Sequence, residues 1–107
     1  MATANKILGR VKPVAITNTV LYTVPAATQA NVNLFISNQG GGEDKIRVAL
    51  TPSGSTLAAT DYIVYDTIIA GNETINLTGI ALAAAGFITV YSTNGTSSFV
   101  ATGIEIS

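Results

Sequence analysis

Val32, Leu34 and Ile36 alternate with Asn31, Asn33 and Ser37, and Ile46, Val48 and Leu50 alternate with Lys45, Arg47 and Ala49. Successive side chains of a strand point to opposite faces, so each set predicts a strand with one apolar face. The same period of two runs through VLYTV (20–24), DYIVYDTII (61–69), TINLTGIAL (74–82), FITVY (87–91) and SFVATGIEI (98–106), all rich in β-branched and aromatic residues. No stretch carries a sustained helical stripe. The alanines around Ala81 to Gly86 favour helix, but the run is too short to nucleate one alone.

Short turn-forming segments separate these runs: TNT (17–19), VPAAT (24–28), GGGED (40–44), TPSGS (51–55), AGNE (70–73), AAAG (83–86) and STNGTS (92–97). Asn94-Gly95 between two alternating runs predicts a type I′ hairpin, whose two central residues need positive φ. About eight short strands with a turn every ten or so residues predict an all-β fold, a single two-layer antiparallel β-sandwich of jelly-roll or immunoglobulin-like topology. The pattern does not choose between the two topologies. Residues 1–11 carry few strand signals and are interrupted by glycine and charge, so they are expected to form an extended N-terminal arm that adds a strand to a neighbour, with the sandwich occupying residues 12–107.

Composition removes most chemistry. The chain has 107 residues with no Cys, His or Trp, so disulfides, thiolate metal sites and the commonest general base are unavailable. A domain of this length buries about two-thirds of its extended surface, enough for a core that holds the fold without staples. Charged residues are 10% of the chain, against roughly 25% in an average domain. Fifteen Thr and fifteen Ala stand in their place. Such a neutral surface points to contact with other protein, in an oligomer or a lattice. Lys6, Arg10 and Lys12 are the only charges before Glu43, which makes the beginning of the chain mildly basic. Three separated cations without interleaved aromatics build neither a phosphate-tracking groove nor a base-stacking platform, so nucleic acid is not an expected partner. Residues 1–9 lack an apolar signal core and GIALAAAGFITVY (79–91) is too short and glycine-broken to span a bilayer, so synthesis in a cytoplasm and no membrane partner are expected. The sequons at Asn72, Asn76 and Asn94 then carry no glycan.

GGGEDKIR (40–47) holds four of the eleven charges and three of the ten glycines. A phosphate loop needs its glycines to lead into a helix N-terminus, and here they lead into a strand. A calcium loop needs oxygen ligands at intervals, and Glu43 and Asp44 are adjacent. The stretch therefore reads as a flexible turn whose charges keep an exposed tip soluble or dock it on a partner. Asp61 and Asp66 would face opposite ways on one regular strand, and Asp66 and Glu73 flank a turn, so no carboxylate pair for glycoside chemistry is expected. A serine nucleophile has no histidine to activate it, and no enzyme activity or cofactor is expected. Tyr22, Tyr62, Tyr65, Tyr91, Phe35, Phe87 and Phe99 read first as packing residues and second as a sugar-stacking platform.

The succession VLYTVPAATQANVNLFISNQ, DYIVYDTIIAGNETINLTGIAL and GFITVYSTNGTSSFVATGIEI resembles small bacteriophage virion proteins, over nearly all of residues 20–106. The proteins it is most similar to are capsid decoration (cement) proteins of cyanophage-type virions. That resemblance implies a homotrimer on the outer capsid surface that bridges major capsid protein subunits by apolar burial and strand addition, with no catalytic motif. Lys6, Arg10 and Lys12, with Glu43 and Asp44, are then the expected contacts to the capsid or another partner. The alternative it leaves open is a tail, fibre or baseplate module that binds a receptor or glycan through loops such as GGGED and STNGTS.

Overall fold

The computed structural model describes residues 3–107 as eight strands: β1 (Thr3–Val11), β2 (Thr19–Thr23), β3 (Gln29–Asn38), β4 (Asp44–Thr51), β5 (Tyr62–Ile69), β6 (Thr74–Leu82), β7 (Phe87–Ser92) and β8 (Ser97–Ile106). A 3-10 turn, Ala59–Asp61, precedes β5. Two four-stranded sheets form, in the orders β1-β8-β3-β6 and β2-β7-β4-β5, with every pairing antiparallel. Seven strand centres fall where alternation places them, and the chain is the expected two-layer sandwich. The strand order decides the topology as well: β1 pairs β8, β2 pairs β7, β3 pairs β6 and β4 pairs β5, the arrangement of an eight-stranded jelly roll.

Three sequence-based expectations differ from this arrangement. Residues 3–11, expected as an arm outside the sandwich, are strand β1, hydrogen-bonded to β8 of the same chain from Thr3↔Ile106 to Val11↔Phe99. An edge strand is half solvated, so its polar residues hide its periodicity, while Leu8 and Val11 still pack on the core. Gly9, which interrupts the pattern, lets β1 close on β2 of the other sheet, since a Cβ there would collide with the Leu21 carbonyl. Met1 and Ala2, which belong to the same expected arm, lie outside the described residues.

The second difference concerns hairpins. Only β4 and β5 are consecutive strands that pair; GGGED and STNGTS each carry the chain from one sheet to the other. A local turn signal reports a reversal and not the partner of the next strand. At Asn94-Gly95 only the glycine is left-handed, with φ +70°, so the turn is not type I′. The third difference is parity: β5 is not regular, and Asp61 lies in the 3-10 turn ahead of it, so the alternation that would oppose Asp61 and Asp66 does not apply.

The core is filled from both sheets by Val32, Leu34, Ile36 and Phe99 on one side and Ile46, Val48, Ile88 and Val90 on the other, all essentially inaccessible. Each such side chain contributes roughly 1.5–3 kcal/mol by leaving water. The central pairs β3–β8 and β4–β7 run in unbroken register. Among the described residues, every register shift lies between an edge strand and its neighbour: one each in β1–β8, β2–β7 and β3–β6, and two in β4–β5. In each case the extra residue is on the edge strand. Bulges twist an edge away from further pairing, which is how sheet proteins avoid edge-to-edge association.

Candidate interaction surfaces

Four inward rows end in polar residues at the same end of the sandwich. Asn38 follows Ile36 on β3, Asp44 precedes Ile46 on β4, Ser92 follows Val90 on β7 and Ser97 precedes Phe99 on β8; all four are buried. Asp44 is 1% exposed. Its carboxylate accepts hydrogen bonds from the Ser92 hydroxyl, from the Ser97 hydroxyl at 2.6 Å and from the Asn94 backbone N–H at 2.9 Å. Burial opposes its ionisation, but these donors together with the Lys45 N–H outweigh it and hold its carboxyl below the usual carboxylate range. Asn38 is used to capacity: the two N–H groups of its amide nitrogen serve the carbonyls of Gly42, Ile69 and Ala70, one of them shared between two carbonyls, and its oxygen accepts from the Gly40 N–H and the Thr96 hydroxyl.

These two residues tie three loops together, and GGGED is therefore held rather than flexible. The Asn72 N–H donates to the Gly40 carbonyl at 3.0 Å, and Gly71 sits so close to the Gly41 carbonyl that no Cβ fits between them. Asp44, expected as an exposed contact, is instead an interior structural group; a single row of strand alternation, Asp44, Ile46, Val48, assigns it inward. Glu43 is exposed on the loop, and its carbonyl accepts from the Asn94 side chain at 2.8 Å.

The three early cations are divided. Lys6 pairs with Glu105 at 2.8 Å, and Glu105 also accepts from the Tyr22 hydroxyl at 2.5 Å. The Lys6 ammonium and the Tyr22 hydroxyl hold the Glu105 carboxyl below its usual range. Burial, reinforced by the Glu105 carboxylate, pushes the Tyr22 phenol up. Arg10 and Lys12 line a separate shallow hollow of about 230 Å³ with Ser98 and Val100, at the loop end of β1.

The outer face of the β1-β8-β3-β6 sheet is nearly uncharged. Register and alternation place Asn5, Ile7 and Arg10 there from β1, Val100, Thr102, Ile104 and Ile106 from β8, Asn31, Asn33 and Phe35 from β3, and Asn76 and Ala81 from β6. Arg10 is the single ionic side chain in that set. Ile7 is 62% and Phe35 41% exposed.

The outer face of the β2-β7-β4-β5 sheet is built differently. The Arg47 guanidinium of β4 lies 4.3 Å from the ring centres of both Tyr65 and Tyr91, clamped between them. Asp66 holds it from the side, accepting from Nε at 2.6 Å and from Nη2 at 3.3 Å. Ile46 pairs with Thr67 and Val48 with Val64, so Tyr65 and Asp66 together oppose the single residue Arg47. That is a bulge: on a regular strand two adjacent residues would point to opposite faces, and here both reach the same guanidinium. Asp66 takes the left-handed φ of +52° that the bulge requires, a conformation Asp tolerates better than most residues. The Arg47 fork, followed by a smaller benefit from its charge and from Lys45, holds the Asp66 carboxyl down despite a partial desolvation cost. No sequence spacing announces this cluster, because it joins three strands; only the exposed Tyr and the lone Arg of β4 hinted at it.

Beside Tyr65, a groove of about 580 Å³ is lined by Asn18, Leu57, Ala58, Ala59, Tyr62 and Tyr65. Tyr62 and Tyr65 meet edge to face, 5.0 Å apart at 81°. Asp61, near this rim, is occupied by the Thr51 hydroxyl and the Ala58 N–H. Among the described residues no cluster of three or more potential metal ligands occurs, and no helix is long and apolar enough to cross a membrane. No family model matches the chain, and no curated protein matches it.

Proposed function

We propose that this chain is a structural virion protein that binds the outer surface of a phage capsid and stabilises it by bridging major capsid protein subunits. The observation that supports the reading best is the outer face of the β1-β8-β3-β6 sheet, a four-stranded surface with one ionic side chain and with Ile7, Phe35, Val100, Ile104 and Ile106 among Asn and Thr. Such a face loses little by desolvation and gains apolar burial when another protein covers it. Arg10 and Lys12, at the rim of that face, are the cations available to an acidic capsid neighbour. Strand addition is a minor part of this mechanism, because the bulged edges of both sheets resist extension. Self-association into a trimer on the shell is part of the same proposal, and many weak contacts made only to the assembled shell stabilise it by mass action.

The jelly roll itself decides nothing, since capsid and lectin domains share it. The rival reading is a tail, fibre or baseplate module that binds a receptor or glycan. Quantitative mass spectrometry of purified virions separates the two: a copy number equal to the major capsid protein, or a simple fraction of it, is expected, and a handful of copies per particle would overturn the capsid assignment. On particles stripped of this protein, Val100→Glu is expected to lower occupancy at least tenfold while its melting temperature stays near that of the parent.

A further inference from the structure

We infer that the groove beside Tyr62 and Tyr65 is a binding site for a neutral saccharide. Three features of the site converge on that ligand class. The first is its lining: Asn18, Leu57, Ala58, Ala59, Tyr62 and Tyr65 include no acid and no base. Of the ionic residues flanking this lining in the chain or contacting it, Asp61 accepts from Thr51 and the Ala58 N–H, and Arg47 is paired with Asp66. An anionic ligand would find no free cation there, since Arg47 is already paired with Asp66, and desolvating it would be costly. The second is the pair of tyrosines at right angles, which gives the groove an aromatic surface in two planes. Sugar rings have C–H-rich faces that pack on aromatic rings and hydroxyl edges that need donors and acceptors; the Asn18 amide and the two phenol hydroxyls supply both.

The third feature is preorganisation. Tyr65 is 58% exposed, yet its ring is fixed from one side by the Arg47 guanidinium, which Tyr91 and the Asp66 fork hold in turn. An exposed aromatic side chain already packed on one face has less rotamer freedom to lose when a ligand covers it. The bulge that places Asp66 beside Tyr65 on one face has no evident use in the core, since neither residue reaches it. The volume, about 580 Å³, lies in the range of small-ligand sites. Arg47 and Asp66 are positioning residues in this site and touch the ligand only through Tyr65.

The site stands independently of the capsid reading, and it is compatible with it: the groove is on the sheet opposite the neutral face. A protein seated on a shell by β1-β8-β3-β6 would turn the tyrosine face outward, toward whatever surface the particle meets.

Saturation-transfer difference NMR tests the site on the whole chain, with neutral oligosaccharides of glucose, galactose, mannose and N-acetylglucosamine as probes and sialyllactose and a tyrosine-rich peptide as contrasts. Transfer to at least one neutral probe is expected, with at least tenfold weaker binding in Tyr65→Ala and in Tyr62→Ala and unchanged binding in Phe35→Ala on the opposite sheet. Circular dichroism melting confirms that each variant is folded. Asp66→Asn is expected to weaken binding about threefold, a change that a purely structural role for the stack would not produce in a variant with an unaltered melting temperature. Absence of transfer to every neutral probe, transfer unaffected by both tyrosine variants, or binding confined to sialyllactose or the peptide would each overturn the inference.

Discussion

Two carboxylates in this protein are each fixed by hydrogen bonds, Asp44 from several neutral donors and Asp66 from one guanidinium, and they do opposite jobs. Asp44 is sealed at the loop end of the core among Ser92, Ser97 and backbone N–H groups, with no cation in its hydrogen-bond shell. Asp66 stands on the outer face of a bulged edge strand and is paired with Arg47, which is itself clamped between two rings. The buried group replaces water with fixed hydroxyl and amide donors, so its removal strands those donors without solvent. The surface group keeps access to water, so its ion pair adds little to stability. Asp44 is a fold residue in a position that looked like a contact, whereas Asp66 is a positioning residue in a strand that looked regular.

The largest effect expected from breaking this contrast is at Asp44. Asp44→Ala leaves the Ser92 and Ser97 hydroxyls and the Asn94 N–H facing a void, and is expected to cost about 3–5 kcal/mol, read from the shift in urea midpoint at constant slope. A loss below about 1 kcal/mol would mean that water enters the polar layer and that the four inward residues are not a sealed unit.

Next in size is Asp44→Asn, which keeps the shape but offers an N–H₂ group to neighbours that donate. A loss of about 1–2 kcal/mol at pH 7 is expected, because the serine hydroxyls can rotate to accept while the backbone N–H cannot. The sharper readout is pH. The folded protein holds the Asp44 carboxyl below its ordinary value, so the stability this group contributes is present above the unfolded value near 3.9 and is lost as pH falls through the lower folded one. Parent protein is therefore expected to lose stability more steeply than Asp44→Asn below about pH 4. Glu105, held down by Lys6 and Tyr22, and Asp66, held down by Arg47, leave a residual acid sensitivity in the variant. Parallel pH profiles for the two proteins would show that Asp44 titrates as it does in the unfolded chain.

The smallest stability effect belongs to Asp66. Asp66→Asn is expected to leave the urea midpoint close to that of the parent protein, and the effect of salt on that difference should be correspondingly slight. Its consequence is local: with the fork loosened, the Arg47 side chain resonances should broaden or shift while the core methyls of Ile46 and Val48 do not. A global stability loss comparable to that of Asp44→Ala would erase the distinction between the two sites.

Alternation along the chain was enough to place seven strands and to turn Val32, Leu34, Ile36, Ile46 and Val48 into the core, with Leu50 of the same row only partly buried against it, because a period of two with one apolar face has few other ways to escape water. Strand β1 was less legible, since an edge strand carries solvated residues on its outer face and Gly9 stands at its closest approach to β2. Of the expected contacts, Arg10, Lys12 and Glu43 are on the surface, Lys6 is bridged to Glu105, and Asp44 is interior. The Tyr65, Arg47 and Tyr91 stack was out of reach of any spacing argument, because β4, β5 and β7 become neighbours only after the chain has crossed between sheets.

Fold class, the positions of most strands and the lack of cysteine and histidine chemistry follow from local periodicity and residue type, and all of them could be read along the chain. Which strands pair, that every connection but β4–β5 crosses between sheets, and where the bulges fall emerge only when the two sheets close. The reason is that hydrogen-bond partners in a sandwich are chosen by long-range closure of two sheets over one core, and a bulge exists only relative to the strand it faces. Side chains from distant parts of the chain meet on that closed surface, as Arg47, Tyr65, Asp66 and Tyr91 do.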